Sequence, residues 1–165
     1  SGQPGVGYRV DHLIAAIEKF IGWNNTSEAF IVGAGSLGRA LLGYKGFESH
    51  GLKVLAAFDC DPSKTDTEIH GVPVFEMEKL PNLAARLNIR MAILCVPEKS
   101  AQSCADMLVS AGIKGIWNFS PVNLKVPAGV VVQNEDLASS LAVLSFKLSK
   151  NIQRAAEEAA ANGVL

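Results

Sequence analysis

A glycine-rich segment has the residue types and spacing that phosphate binding requires. The run Gly33-Ala34-Gly35-Ser36-Leu37-Gly38 is a G-x-G-x-x-G motif between a short apolar run and a segment of helical spacing. In such a loop the first glycine permits a tight turn, the second lets the backbone approach a pyrophosphate, and the third lets helix pack on strand. Unpaired N–H groups and the positive end of the helix dipole favour the phosphates. The motif therefore predicts a nucleotide pyrophosphate site.

An acidic residue after the next apolar run indicates which nucleotide binds. Asp59 follows the motif by about 20 residues, the spacing at which a carboxylate accepts hydrogen bonds from the adenosine ribose. That carboxylate would repel a 2′-phosphate, and Asp61 adds a second negative charge. We therefore predict NAD(H) rather than NADP(H) as the cofactor. A glycine turn that binds nothing, or a module that binds coenzyme A or another nucleotide, is an alternative.

The residues expected beside the nicotinamide do not include a suitable acid or base. Val96-Pro97-Glu98 and Asn118-Phe119-Ser120-Pro121 lie at the ends of the predicted fourth and fifth strands and contain no histidine. A dehydrogenase needs a proton donor or acceptor there. Glu98 more naturally lies in the first turn of the next helix, where it complements the helix dipole. The pattern predicts a pocket that binds a nicotinamide without transferring its hydride, with no catalytic residues. A small NAD-dependent oxidoreductase is the weaker alternative.

Alternating apolar and helical segments must position these residues. Such alternation predicts an α/β, Rossmann-type, doubly wound parallel sheet, for which right-handed crossovers favour the strand order 3-2-1-4-5-6. The six predicted strands are Ala29–Val32, Val54–Phe58, Val72–Phe75, Met91–Val96, Ile116–Phe119 and Val130–Gln133. The predicted helices between them cover about Leu37–Tyr44, Leu80–Leu87 and Ala101–Ala111.

The two ends of the chain have different patterns. Residues 1–10 are glycine-rich and are interpreted as a linker remnant, and residues 11–133 as the NAD(H)-binding domain with a leading helix from Asp11 to Gly22. Residues 134–165 form a predicted C-terminal helix from Leu137 to about Ala161, with leucines at three- and four-residue steps. A second subunit would bury this leucine stripe, so the helix is interpreted as a dimerisation element, with packing against its own domain as the alternative.

Composition excludes several classes of function. The chain has 165 residues, 48% of them hydrophobic, and a net charge of −1, so it lacks the basic excess of a free-standing nucleic-acid binder. The three cysteines lack a C-x-x-C spacing, and Cys95 and Cys104 are predicted to be buried apolar residues rather than metal ligands. No signal peptide and no apolar run of about 18 residues is present, so no membrane partner is expected and the predicted location is cytoplasmic.

Several segments beyond the glycine motif agree in order and spacing with one family. From about residue 4 to residue 148 the chain resembles the redox-sensing transcriptional repressor Rex. The segments that carry the resemblance are Gly5-Val-Gly-Tyr8, residues 33–42 (GAGSLGRALL), Tyr44-Lys-Gly-Phe47, residues 56–62 (AAFDCDP), Gly71-Val-Pro-Val, residues 111–116 (AGIKGI), Asn118-Phe-Ser-Pro and Asp136-Leu-Ala.

The resemblance implies a homodimeric repressor that senses the NADH/NAD⁺ ratio and releases operator DNA when NADH binds. It also implies that the C-terminal helix is exchanged between subunits, and that double-stranded DNA is bound only through a winged-helix domain that is missing here. Carried over to this sequence, Tyr44 of the same chain and the partner subunit's Asp136 would lie near the nicotinamide, with Val96, Pro97 and Phe119 as walls of the pocket. The alternative roles are packing at a helix end for Tyr44 and the N-cap of the last helix for Asp136, and for Asp136 the two roles are compatible. The segment beyond Lys150 is longer than the family pattern, and we have no functional account of it.

Overall fold

A seven-stranded sheet forms the centre of the first of two compact units, which ends at Asn134. The computed structural model describes residues 10, 12–13 and 27–163. The strands are β1 (Ser27–Val32), β2 (Leu52–Asp59), β3 (Thr67–Ile69), β4 (Val72–Glu76), β5 (Met91–Leu94), β6 (Gly115–Asn118) and β7 (Val131–Asn134). Their order is β3-β4-β2-β1-β5-β6-β7, and every pairing is parallel except that of β3 with β4.

The predicted fold class is confirmed, with one correction to the number of strands. When β3 is left out, the observed order is the predicted 3-2-1-4-5-6. The prediction of six strands is wrong because β3, an antiparallel edge strand, precedes β4 in a tight hairpin. His70 and Gly71 make that turn with φ values of 51° and 79°, the left-handed conformation that two-residue hairpin turns require.

Helices connect the strands. They are α1 (Ser36–Leu42), α2 (Gly46–Ser49), α3 (Leu80–Leu87), α4 (Glu98–Ser110) and α5 (Leu137–Ala161). His12 and Leu13, from the predicted leading helix, are helical, and the rest of that helix lies outside the described residues. The predicted helix over Leu37–Tyr44 ends earlier, at Leu42, because Gly43 caps it.

The sheet is covered on both faces, as a doubly wound fold requires. On one face Phe30, Val32 and Phe58 pack in a core to which α3 and α4 contribute Leu80 and Leu108. On the other face Ile31, Ala57 and Ile93 pack with Leu42 of α1 and Phe47 of α2. Successive residues of β1 thus face opposite sides, and both sides are apolar. This explains why the second part of β1, Ala29–Val32, is continuously hydrophobic.

The second compact unit, residues 135–165, consists mainly of helix α5. Its bounds agree with the predicted segment from Leu137 to about Ala161. Leu141, Leu144 and Leu148 are each more than half exposed, and α5 contains no buried residue. Among the described residues, no helix is both long and apolar enough to span a membrane.

Candidate functional site

The predicted pyrophosphate loop leaves the carboxyl end of β1 and enters α1. Gly33 has φ +105°, a left-handed conformation, and a Cβ atom there would collide with the backbone carbonyl of Cys95. A Cβ atom on Gly38 would likewise collide with the carbonyl oxygen of Gly33. The backbone geometry therefore requires both glycines. Gly33 has a left-handed conformation and lies against the backbone of Cys95, and Gly38 in α1 lies against the carbonyl of Gly33.

Gly35 differs from the other two glycines of the motif. A Cβ atom at this position would meet no atom of the described residues within 4 Å. Gly35 is also the N-cap of α1, and no side chain caps the helix there. The first intrahelical hydrogen bond of this turn runs from the Arg39 N–H to the Gly35 carbonyl at 2.9 Å, and the N–H groups before it have no acceptor within the helix. Open space beside uncapped N–H donors is what an approaching phosphate needs.

Asp59, at the end of β2, is joined to the loop by hydrogen bonds. The Ala34 N–H donates to Asp59 Oδ2 at 2.8 Å, and the Asp61 N–H donates to Asp59 Oδ1 at 2.8 Å. The residue is only 9% exposed. Each carboxylate oxygen can accept more than one hydrogen bond, so Asp59 keeps capacity for a ribose hydroxyl. The predicted ribose-binding residue therefore also holds the predicted pyrophosphate loop in place, which the sequence did not indicate.

The apolar residues predicted to wall a nicotinamide pocket follow β5 and β6. Val96 is half-buried, Pro97 is exposed and caps α4, and Phe119 is half-buried. The Val96 side chain lies 3.2 Å from the Cβ position of Gly33, so this wall adjoins the glycine loop. Glu98 lies in the first turn of α4, as the sequence indicated.

A polar network behind this wall was missed at the level of sequence. Asn118, at the end of β6, is 1% exposed, and its Nδ2 donates to the Val122 carbonyl and to Asn134 Oδ1. Its Oδ1 accepts from the Ser120 N–H, and Ser120 Oγ donates to the Val96 carbonyl at 2.6 Å. Asparagine and serine at the end of a buried strand were the available signal, because buried polar side chains are almost always hydrogen-bonded.

Tyr44 lies two residues beyond α1 and is 57% exposed. Its ring packs edge-on against Phe47, with centroids 4.9 Å apart. Phe47 in turn packs against Trp117 at 5.9 Å, and Trp117 against Phe119 at 4.9 Å. A row of four aromatic rings thus joins the predicted nicotinamide neighbour Tyr44 to the predicted wall residue Phe119.

Asp136 is the predicted site residue of the second unit. It is the N-cap of α5: the Ser139 N–H and Oγ donate to its carboxylate at 3.1 and 2.6 Å. These bonds, the hydroxyl bond first, lower the pKa of Asp136 below its ordinary value. The carboxylate is therefore charged at neutral pH. Its predicted approach to a nicotinamide in a partner subunit stays a prediction.

Two of the three cysteines, Cys95 and Cys104, are at least partly buried. Burial raises the pKa of the Cys95 thiol to about 12, and burial is also the main cause of the raised pKa of Cys104. Both thiols are therefore protonated at neutral pH, and both pack against the apolar cores. No group of three or more histidine, cysteine or acidic side chains within the described residues could hold a metal ion.

Comparison with known proteins assigns the family. A family model described as a CoA binding domain matches residues 24–122. The redox-sensing transcriptional repressor Rex of Treponema denticola is 51% identical over 148 residues, which are 90% of this chain and 70% of that protein. The chain belongs to the Rex family. The resemblance seen in the sequence is thereby confirmed.

Two solved Rex structures extend the similarity to the fold. The Rex-family repressor RSP in complex with NADH superposes with a TM-score of 0.75 at 39% identity, covering 87% of this chain and 70% of that one. RSP in complex with NAD⁺ and operator DNA gives a TM-score of 0.75 at 38% identity, covering 90% of this chain and 69% of that one. The doubly wound sheet followed by a long helix is therefore the fold of the Rex family.

Proposed function

We propose that this chain is the NAD(H)-sensing and dimerisation part of a Rex repressor, whose hold on operator DNA is relieved by NADH. The observation that carries the proposal is the 2.8 Å hydrogen bond between the Ala34 N–H and Asp59 Oδ2. It fixes a ribose-binding carboxylate beside a loop that has room for a pyrophosphate at Gly35. RSP, a relative with the same fold, has been solved with both NADH and NAD⁺.

The residues present fit a dinucleotide. Gly33 to Gly38 would hold the pyrophosphate, and Asp59 the adenosine ribose. Val96, Pro97 and Phe119 would wall the nicotinamide, with Tyr44 of the same chain and the partner subunit's Asp136 close to the ring. When bound, the cofactor supplies a ring that is neutral in NADH and positive in NAD⁺. The charged Asp136 carboxylate would therefore interact differently with the two forms, and a differential interaction is what shifts a population between two dimer geometries.

Coenzyme A is the second candidate, because the matching family model is described as a CoA binding domain. Coenzyme A carries a phosphate on the 3′-oxygen of its adenosine ribose. The buried Asp59 carboxylate would repel that phosphate, as it would the 2′-phosphate of NADPH. The same residue thus disfavours both competitors of NAD(H).

The test is a titration of the purified chain with NADH and NADPH, followed by nicotinamide fluorescence, with coenzyme A as a competitor. We expect NADH to bind most tightly and coenzyme A to displace it poorly. Asp59→Ala should reduce the difference in affinity between NADH and NADPH. Glu68→Ala removes an exposed carboxylate from β3 and should leave that difference in affinity unchanged. Equal affinities for NADH and NADPH in the unmodified chain, or tight coenzyme A binding without NADH binding, would contradict the proposal.

Operator binding is assigned to the full-length repressor rather than to these residues alone. With a net charge of −1 the chain lacks the overall basic excess that favours phosphate affinity. A gel-shift titration of the chain against operator DNA, with and without NADH, should show no specific complex at physiological salt. A specific complex that survives physiological salt would place recognition within the 165 residues.

A further inference from the structure

The Asn118–Asn134 amide pair lies where the predicted nicotinamide wall meets the exit toward α5. The two residues end the parallel strands β6 and β7 and lie side by side in register. Asn118 Nδ2 donates to Asn134 Oδ1 at 3.0 Å. The proposed function assigns no role to either residue.

The position of the Asn118 amide is determined on three sides. Besides Asn134, its Nδ2 contacts the Val122 carbonyl at 2.9 Å, and its Oδ1 accepts from the Ser120 N–H at 3.0 Å. The side chain is 1% exposed, so water does not replace a lost partner easily. If one of these hydrogen-bond partners moves, the Asn118 amide must therefore move with it or resist the movement.

One side of the pair is the wall. Ser120 Oγ donates to the Val96 carbonyl at 2.6 Å, and the Phe119 N–H donates to the Leu94 carbonyl at 2.9 Å. Movement of the Val96 and Phe119 backbone thus reaches Asn118 through Ser120.

The other side of the pair is the start of α5. β7 is an edge strand with β6 as its sheet neighbour, and Val131 on it is 71% exposed. Asn134 ends this weakly covered strand, and one residue, Glu135, separates it from Asp136, the N-cap of α5. The backbone that begins α5 therefore leaves the sheet at the residue that Asn118 holds.

We propose that Asn118 and Asn134 are positioning residues of the cofactor response, which carry the state of the nicotinamide wall to the first turns of α5. This inference rests on the proposed function, since it presupposes that NADH occupies the pocket beside Val96 and Phe119. Asn134→Ala then uncouples α5 from the cofactor without removing the cofactor site.

The experiment measures NADH affinity by fluorescence and amide hydrogen exchange of residues 137–148, with and without NADH, on the full chain. In the unmodified chain NADH should change exchange over these residues. In Asn134→Ala the NADH dissociation constant should stay within about threefold, a change of about 0.7 kcal/mol, while the NADH-dependent change in exchange is lost. Because Asn134 is exposed, the substitution should be compatible with folding.

Two further variants distinguish a positioning role of the Asn118–Asn134 pair from a general loss of stability. Asn134→Asp keeps an oxygen that accepts from Asn118 Nδ2 and should restore the response. Gln102→Ala removes the two hydrogen bonds that tie α4 to the Lys125 backbone, at 2.9 Å each, and leaves the Asn118–Asn134 amide pair intact. It should lower stability but retain the response.

The outcomes distinguish this inference from the proposed function. An Asn134→Ala chain that responds like the unmodified chain overturns the inference alone, and so does one that folds but no longer binds NADH. Failure of the unmodified chain to bind NADH overturns the proposed function, and the inference with it. NADH binding to the unmodified chain without any change over residues 137–148 overturns the inference and leaves cofactor binding standing.

Discussion

At the scale of single residues, the three glycines of the predicted phosphate loop differ in what surrounds them. Gly33 and Gly38 are glycines because a side chain would collide with protein backbone. Gly35 is surrounded by open space, so nothing within the described protein requires glycine there. If NAD(H) binds as proposed, a requirement for glycine at this position would come from the ligand, and a substitution there would separate binding from folding.

We expect Gly35→Val to abolish NADH binding while the thermal midpoint of the chain changes little. The valine side chain would enter the space assigned to the pyrophosphate, and the backbone of Gly35 (φ −77°, ψ −162°) is extended and accessible to any residue. Nicotinamide fluorescence should show a loss of affinity of more than about a hundredfold, equivalent to about 2.7 kcal/mol.

Gly33→Ala is the matched control for this change. It should lower stability in chemical denaturation by more than the strain of about 1–3 kcal/mol at a left-handed residue, since the added Cβ also collides with the Cys95 carbonyl. A Gly35→Val chain that still binds NADH normally would show that the pyrophosphate does not approach this residue.

At the scale of secondary-structure elements, the sequence predicted the strand order but not the short edge strand. The order follows from apolar runs and right-handed crossovers, which are properties of whole segments. β3 has three residues, of which Ile69 alone is buried, so it lacks a periodic pattern. Its existence depends on the left-handed turn at His70 and Gly71, a conformation that is uncommon for residues other than glycine.

For the candidate site, too, the sequence indicates the features that depend on spacing along the chain but not those that depend on tertiary packing. The loop and Asp59 belong to one strand–loop–helix–strand pattern that is visible as spacing. Asn118 and Asn134 lie 16 residues apart and meet only because parallel register places the ends of β6 and β7 together. Register of this kind depends on tertiary packing, which a single sequence does not display.

The start of α5 should be sensitive to acid through Asp136. Because the pKa of this carboxyl is lowered in the folded chain by Ser139, its contribution to stability is present above the unfolded pKa and is lost as pH falls through the folded value. We expect amide exchange of the first turn of α5 to increase as pH falls below about 4. Exchange rates must be corrected for their intrinsic dependence on pH.

Asp136→Asn isolates this effect from the other carboxyls. Asparagine also caps helices but does not titrate, so the corrected pH dependence of the first turn should disappear. Identical pH profiles for the two chains would show that ionisation of the Asp136 carboxylate does not stabilise the first turn of α5.

At the scale of the whole molecule, α5 presents apolar side chains that its own unit does not bury. Leu141 and Leu144 are 64% and 62% exposed. Exposed leucines in a helical stripe indicate a surface that another polypeptide covers, and a second copy of the chain is the partner that the Rex family implies.

We expect Leu141→Glu combined with Leu144→Glu to convert a dimer to monomer or aggregate in sedimentation velocity. Buried glutamates would have to lose their hydration without a partner, which costs several kcal/mol. Gln153→Glu, a charge introduced later in the same helix, should leave the dimer intact. A dimer that survives the double substitution would place the interface outside the leucine stripe.

The aromatic row also gives the chain an optical property. Trp117 packs against Phe119, which is assigned to the nicotinamide wall. The emission band of tryptophan overlaps the absorption band of the reduced nicotinamide ring, which the oxidised ring lacks. Excitation energy should therefore pass from Trp117 to bound NADH but not to bound NAD⁺. A Trp23→Phe chain, in which Trp117 is the only indole, would report the redox state of its own cofactor without an added dye.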